Sequence, residues 1–401
     1  MLEFISLEEA TRLIMETHKL SKIEYVPLQQ SRGRVLAENL TAKINIPPFN
    51  RAAVDGYAVN SNDTRERQFS IKGEIPAGLN FNGMVASGKG IRIFTGAPVP
   101  SEITAVVRQE DVDVQGNTIM IKKPWSLGDN IALCGEDINE GEQLLSQRTV
   151  ITPAYVGLLA SQGFTKIPVF QRPKVGVLST GDELVLPGEP LRPGKIYNSN
   201  MFSIVALVED LGAEALPLGI VSDSLEVISE TLVEALEQVD LVITTGGASV
   251  GDYDVIKDAI TQIGGNLLFW RVAIKPGTPI IAGSYKNKLI IGLSGNPAAA
   301  LIGAELLVAP LIRKMLGHTK INLKSISAVA SGDVHKASGI RRMMRVQVEE
   351  TKTGRIAILA LKQKSGILKS LAECNGVLDL GAKEVIKDGE QHKVILFNCW
   401  E

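Results

Sequence analysis

The stretch Leu241-Val242-Ile243-Thr244-Thr245-Gly246-Gly247-Ala248-Ser249-Val250-Gly251-Asp252-Tyr253-Asp254 decides how this chain folds. Residues 241–245 are a short apolar, β-branched run, which reads as a buried strand. Two glycines stop it, small residues follow, and two acids close the segment before a helix-like pattern begins. Bare amides, hydroxyls and carboxylates therefore gather at the strand's carboxyl end. In an open α/β sheet that end is where ligands bind. Glycine lets the backbone approach a phosphate closely, and the start of the next helix favours an anion. Carboxylates beside a phosphate make sense when a cation bridges them.

The same rhythm extends outward over 173–318. Strands are predicted at 174–179, 215–220, 240–245, 267–273 and 288–293, with helices at 200–211, 223–237, 253–263 and 297–316. Such alternation predicts a doubly wound, mostly parallel α/β domain. Residues 21–172 are instead rich in Gly, Pro and Asn, with short alternating segments at 68–72, 91–94, 105–108 and 118–121. They predict β-structure, interrupted by one helix over 153–162 with Thr152 as cap and Pro153 in its first turn. Residues 319–401 alternate again, at 325–329, 343–348, 355–360, 376–380 and 394–397, and predict a small β-barrel or sandwich. Residues 5–20 read as one amphipathic helix, with Ser6 as N-cap and Glu9 as its capping-box partner.

Bulk properties exclude several classes of function. The chain of 401 residues is long enough for several domains. Lys+Arg is 42 against Asp+Glu at 44, so the net charge of -2 offers nothing to nucleic acid or an anionic membrane. Any phosphate-binding charge has to be local. Aromatic residues are 5%, too few for a base-stacking surface. The three cysteines, Cys134, Cys374 and Cys399, are scattered and odd in number, which points to a reducing compartment. For Cys134 a small buried thiol is the expectation. No CxxC or His/Cys cluster suggests zinc. The first residues do not read as a signal peptide, and no apolar run is long enough to span a membrane, so a cytoplasmic protein is expected.

Three other loops resemble the opening one. Strand 174–179 runs into Thr180-Gly181-Asp182-Glu183-Leu184. Strand 289–293 runs into Ser294-Gly295-Asn296-Pro297, where Asn296 is expected to cap a helix that starts at Pro297. Lys275-Pro276-Gly277-Thr278 places one cation in a stiff turn. Each loop alone could be an ordinary turn. Four along one sheet edge predict a site. Neither GxGxxG nor GxxxxGK[ST] occurs, which argues against a dinucleotide fold or a P-loop ATPase. In the β-rich region, Asp55 lies in the segment 47–59, beside RIFTGAP at 92–98 and Gly135-Glu136-Asp137. It reads either as an Asx-turn residue or as an acid delivered to a cleft.

The segments PPFNRAAVDGYAV, RIFTGAP, GEDI, STGDEL, NSN, TTGGASVGDYD, AIKPGTP and GLSGNPAAA occur in this order. Together they closely resemble the molybdopterin molybdenumtransferase family, which includes the E-domain of gephyrin. The resemblance covers the chain from about residue 5 onward. It implies insertion of molybdate into adenylyl-molybdopterin with release of AMP, assisted by a divalent cation such as Mg²⁺. It implies catalytic roles for Asp55, Asp137, Glu183, Asp223, Asp254 and Lys275. It implies cofactor contacts from Thr95, Thr180, Gly181, Asp182, Asn198, Ser199, Gly246, Gly247, Ser249, Arg271, Ser294, Gly295, Asn296, Pro297 and Ser365. Glu183, Asp252 and Asp254 are the implied metal ligands, and which of the last two acts is left open. The implied division is an N-terminal helix at 1–20 packed on the α/β domain, a mixed linker domain at 21–45 with 141–172, a cleft domain at 46–140, the molybdopterin-binding domain at 173–318 and a C-terminal β domain at 319–401. A homodimer is implied, with transient contacts to the adenylyltransferase and to apo-molybdoenzymes.

The chain departs from the family in three places. Ala132-Leu133-Cys134 stands where a basic run is common, Arg271 replaces a lysine, and Ser294 replaces a proline. These leave molybdate against tungstate open. Two rival functions are the adenylyl transfer that precedes insertion and a non-catalytic scaffold. A stand-alone adenylyltransferase has no need of residues 21–172, and intact acids at 183, 252 and 254 argue against a decayed site.

Overall fold

The computed structural model describes residues 2–17, 21–79, 81–248, 254–352 and 354–397. Ser249 to Tyr253 and Cys399 lie outside the described residues, and so does any structural reading of Ser249 and Asp252.

A seven-stranded sheet forms the centre. Its order is Leu2–Ile5, Asn266–Val272, Ile281–Tyr285, Lys288–Ser294, Leu241–Ala248, Lys174–Thr180, Glu214–Val221. Every pairing is parallel except those made by Ile281–Tyr285. The five predicted strands are present. The sequence reading missed two others. Ile281–Tyr285 is a hairpin partner of Lys288–Ser294, joined by Lys286 and Asn287 at positive φ, in place of the Asn-Gly or Asp-Gly that announces such a turn. Leu2–Ile5 is an edge strand where a helix was expected to begin; the helix spans Leu7–Thr17. Ser6 does cap it, accepting from the Glu9 amide at 3.1 Å. The Glu9 carboxylate turns outward to Arg12 instead of closing a capping box.

Helices cover both faces, because the central strands Lys174–Thr180, Leu241–Ala248 and Lys288–Ser294 are apolar on both sides. On one face Leu7, Ala10 and Ile14 join Ile204, Val208, Ile302 and Leu311 over Val175, Ile243 and Ile291. On the other, Ile228, Leu232, Ile256 and Ile260 pack on Leu178, Val242 and Ile290. The predicted helix over 297–316 contains a π-helical stretch, Ala304–Val308, before Pro310.

Residues from the C-terminal region close a barrel of five strands: Arg341–Thr351, Gly354–Leu359, Ser325–Ser331, Gln391–Leu396 and Gly376–Leu380, which pairs back to the first. Ile274–Lys275, just past the central sheet, pairs parallel to Arg341–Thr351. That pairing lays the barrel against the carboxyl edge of the sheet. Residues 56–121 form a separate six-stranded sheet around Ala58, Ile91, Ile93 and Phe69. The helix Pro153–Ser161 starts as predicted, with the Tyr155 amide donating to Thr152 Oγ1.

Candidate functional site

The parallel strands deliver their carboxyl ends to one edge. There Thr180, Gly246, Gly247 and Gly295 come together. Gly246 and Gly247 have φ of +90° and +66°. A Cβ on Gly246 would stand 2.3 Å from the Thr180 carbonyl oxygen, and one on Gly247 would stand 2.8 Å from Thr180 Oγ1. Both the left-handed backbone and the close approach therefore demand glycine. A Cβ on Gly295 would reach the Gly246 Cα at 3.5 Å, so the third loop is adjacent.

Beneath these loops lies a buried polar layer. The hydroxyls of Ser179 and Thr245 share a hydrogen bond of 2.9 Å, and Ser179 Oγ donates to Asn198 Oδ1 at 3.2 Å. Asn198 Oδ1 also accepts from the Met201 amide, capping the helix Ser199–Asp210. Asn200 Nδ2 donates to the Gly295 carbonyl at 2.8 Å, tying that helix to the third loop. Asn198 Nδ2 and Asn200 Oδ1 are buried and make no hydrogen bond among the described residues. Buried polar atoms rarely go unpaired, so these two point to a ligand.

At the same edge, acids cluster beyond Thr180. Desolvation pushes the Asp223 carboxyl above the usual aspartate range; the Thr180 hydroxyl counters this, and the charges of Asp182 and Glu183 raise it further. Gly181, at φ +149°, lies against the Glu183 carboxylate, which a Cβ there would meet at 2.7 Å. Lys195 Nζ donates to the Asp182 carbonyl. Among the described residues no three His, Cys, Asp or Glu side chains are arranged as a preformed metal cage. Asp254 has a different position. It is buried and caps the helix Val255–Gln262: Oδ1 accepts from the Lys257 amide at 3.2 Å, and Oδ2 accepts from Trp270 Nε1 at 2.9 Å. Both of its oxygens are committed to the fold.

The other end of the edge is cationic. A cavity of about 840 Å³ opens between the sheet edge and the barrel. Lys275, Thr278, Ser294 and Asn296 line it from the α/β side; Lys336, Ser338, Arg342, Gln363, Lys364 and Ser365 line it from the barrel. Among the described residues it is lined by four cations and no carboxylate, a setting for an oxyanion. The turn bearing Lys275 is pinned by Thr278 Oγ1, which donates to the Ile274 carbonyl at 2.7 Å. The Ala298 amide, in the first turn of the helix Pro297–Gly303, donates to the Ser365 carbonyl at 2.9 Å and fastens the two walls together. Asn296 precedes that helix, but its side chain makes no capping bond; Ser294 Oγ accepts the Asn296 amide instead, at 3.3 Å. Arg271 is not part of this lining. It has φ of +71°, stacks 3.9 Å above Trp270 and pairs with Glu3 at 3.5 Å.

Sequence reasoning placed Lys275, Ser294, Asn296 and Ser365 here and missed Lys336, Arg342, Gln363 and Lys364. The basic run in Arg341-Arg342-Met343-Met344-Arg345 was the available signal, but nothing local says that it folds against a loop some seventy residues earlier.

Asp55, Thr95 and Asp137 are exposed and line none of this cavity. Thr95 donates to Asp55 Oδ1 through its amide at 2.8 Å and its hydroxyl at 2.7 Å. Those two bonds, with the Arg92 guanidinium nearby, hold the Asp55 carboxyl below the usual aspartate range. Asp137 follows a turn tied to the segment before it, its amide donating to the Ile46 carbonyl at 3.0 Å. Cys134, expected to be buried, is exposed. Its amide is held by Asn50 Oδ1 at 2.8 Å, which fixes the residue in a surface turn beyond the reach of the core.

Fold and site together define a molybdopterin-type enzyme built from three family regions. Residues 5–163 match the MoeA N-terminal region (domain I and II), 176–314 the probable molybdopterin binding domain, and 327–397 the MoeA C-terminal region (domain IV). The molybdopterin molybdenumtransferase of Bacillus subtilis is 35% identical over 98% of this chain and 94% of its own. That of Haemophilus influenzae is 38% identical over 84% of each. The crystal structure of the molybdopterin biosynthesis MoeA protein from Pyrococcus horikoshii superposes with a TM-score of 0.88 at 32% identity, covering 98% of this chain and 99% of that one. The chain belongs to the molybdopterin molybdenumtransferase family and is a transferase of molybdenum-cofactor biosynthesis.

Proposed function

We propose that the protein inserts molybdate into the dithiolene of adenylyl-molybdopterin and releases AMP. The observation that carries this reading is the charge gradient along one sheet edge: acids at 182, 183 and 223 at one end, and the cations of the cavity at the other. A pterin nucleotide lying along Thr180, Gly246, Gly247 and Gly295 would present its pyrophosphate to the acids and its sulfurs to the cationic cavity. Lys275, Ser294 and Ser365 hold the oxyanion there, and the preorganised cations stabilise charge as the two sulfurs bond to molybdenum and one oxo group leaves as water with the two thiol protons. The orphaned amide atoms of Asn198 and Asn200 take polar groups of the substrate.

The acids fit a divalent cation, because Asp223 is pushed up by desolvation and, further, by the charges of Asp182 and Glu183, which a bound Mg²⁺ would offset. Glu183 and Asp223 would hold it, with Asp252 as the acid of the glycine loop, since Asp254 is committed to its helix cap and to Trp270. When bound, the ion neutralises the phosphate and favours departure of AMP. Asp55, Thr95 and Asp137 act from the facing wall, supplied by a second copy of the chain in a homodimer. The setting is cytoplasmic. No helix among the described residues is long and apolar enough to cross a membrane. Product passes to apo-molybdoenzymes.

The test is incubation with adenylyl-molybdopterin, Mg²⁺ and molybdate. Stoichiometric AMP and cofactor that reconstitutes an apo-molybdoenzyme are expected. AMP formed without molybdate, or no active cofactor, rejects the reading; molybdopterin and ATP yielding the adenylate would favour adenylyl transfer. Repeating the titration with tungstate decides between the two oxyanions.

A further inference from the structure

One wall of the cationic cavity is a loop, residues 362–366, which carries Gln363, Lys364 and Ser365. Its outer side is fastened to the α/β domain through Ser365 and Ala298. Its inner side rests on Arg345, a fully buried residue of the strand Arg341–Thr351. Arg345 Nη2 donates to the carbonyls of Lys362 at 2.7 Å and Lys364 at 3.0 Å. Gln363 grips the same strand position. Its Oε1 accepts the Arg345 amide at 3.0 Å, and its Nε2 donates to the carbonyls of Arg345 and Ala360 at 2.9 and 3.0 Å. Ser370 Oγ adds a bond to the Lys362 carbonyl at 2.8 Å.

This is a poor choice for stability alone. Arg345 Nε and Nη1 make no hydrogen bond among the described residues. Burial pulls the guanidinium's pKa down, and the same burial pushes the neighbouring Cys374 thiol up and keeps it neutral. A buried charge without a carboxylate partner is costly, and an apolar residue of similar length would usually serve a barrel better. What the cationic head does, and an apolar side chain cannot, is bridge two carbonyls, one on either side of Gln363, from beneath.

We infer that Arg345 is a positioning residue of the oxyanion site: with Gln363 it fixes the loop 362–366 so that Lys364 and Ser365 stand against Lys275 and Ser294. This rests on the insertion reading above. Arg345 does not touch the oxyanion; it sets the affinity through the loop. A shift of about 1 Å in such a wall can cost on the order of a hundredfold in rate.

The experiment measures kcat and molybdate KM for AMP release, molybdate binding by calorimetry, and Tm. It compares wild type, Arg345→Met, Arg345→Lys, Gln363→Ala, Ser365→Ala and the Arg345→Met/Ser365→Ala double variant. Arg345→Met is expected to raise the molybdate KM and Kd at least about tenfold. Lysine, a point charge able to reach the same carbonyls, should recover most of that loss. The double variant should be no worse than the worse single one, because a displaced loop has already lost Ser365. An unchanged molybdate KM in folded Arg345→Met overturns the inference, as do strictly additive effects in the double variant. If Arg345→Met does not fold, Gln363→Ala decides by the same KM criterion. A wild type silent to molybdate overturns the insertion reading and this inference with it; an active wild type with an unmoved KM in the variants overturns this inference alone.

Discussion

The carboxyl edge of the central sheet and the cleft region at 46–140 carry similar residues: acids, hydroxyls and glycines. The fold treats them differently. At the sheet edge, Ser179, Thr245, Asn198 and Asn200 are buried and interlocked, and glycines are forced by contacts under 3 Å. At the cleft, Asp55 and Thr95 are exposed and bonded to each other. One wall is complete within the chain, whereas the other is held ready with its acid ionised. One region is preorganised within the chain; the other leaves its acid at the surface, where the proposed homodimer would use it.

The largest expected effect is at the acid end of the complete wall. Glu183→Gln should abolish AMP release, by about a thousandfold or more, while adenylyl-molybdopterin still binds. Full activity in that variant would remove Glu183 from the cation site. Next comes the cationic end. Lys275→Ala should raise the molybdate KM roughly tenfold to a hundredfold and leave Tm unchanged, since Lys275 is exposed. A KM that stays put would place the oxyanion elsewhere.

Gly246→Ala tests how rigid the complete wall is. The backbone clash with Thr180 should cost about 1–3 kcal/mol and weaken nucleotide binding in parallel, read by thermal melts and calorimetry. Retained stability would mean that the turn can relax.

Asp223→Asn should give the smallest shift, and in the opposite direction for stability. Its folded pKa is raised, by desolvation first and by Asp182 and Glu183 next, so the destabilisation is absent below the unfolded value, grows as pH rises above it and is complete once pH passes the folded value. At neutral pH the variant should melt slightly higher, the gain fading on acidification. Mg²⁺ should stabilise wild type more than the variant. A lower Tm at neutral pH would contradict the repulsion.

The alternation of strand and helix over 173–318 was legible because parallel strands buried on both faces read as continuous apolar runs. Lys275, Ser294 and the TGG turn were legible because glycine and proline mark where such strands end. Ile281–Tyr285 was not, since a hairpin closed by Lys286 and Asn287 lacks a turn signature. Arg345 and Gln363 were not either: their meaning comes from barrel closure, which joins residues through tertiary pairing and leaves no local period. Asp254 was read as a chemical acid; its role as the cap of Val255–Gln262, through the Lys257 amide, and its bond from Trp270 were not read.

The claim that the two unlike walls close one site across two copies is tested most directly by mixing defects. Asp55→Ala and Lys275→Ala variants are co-expressed, and the whole randomly paired population is assayed for AMP release at molybdate well below the raised KM, where each variant alone is nearly silent. In a two-fold dimer with the walls supplied by different chains, a mixed dimer holds one intact site and one doubly damaged one. Random pairing then restores about a quarter of wild-type activity. Mixed dimers that form yet stay as inactive as the parent variants would contradict the shared site and return Asp55 to the wall of its own chain.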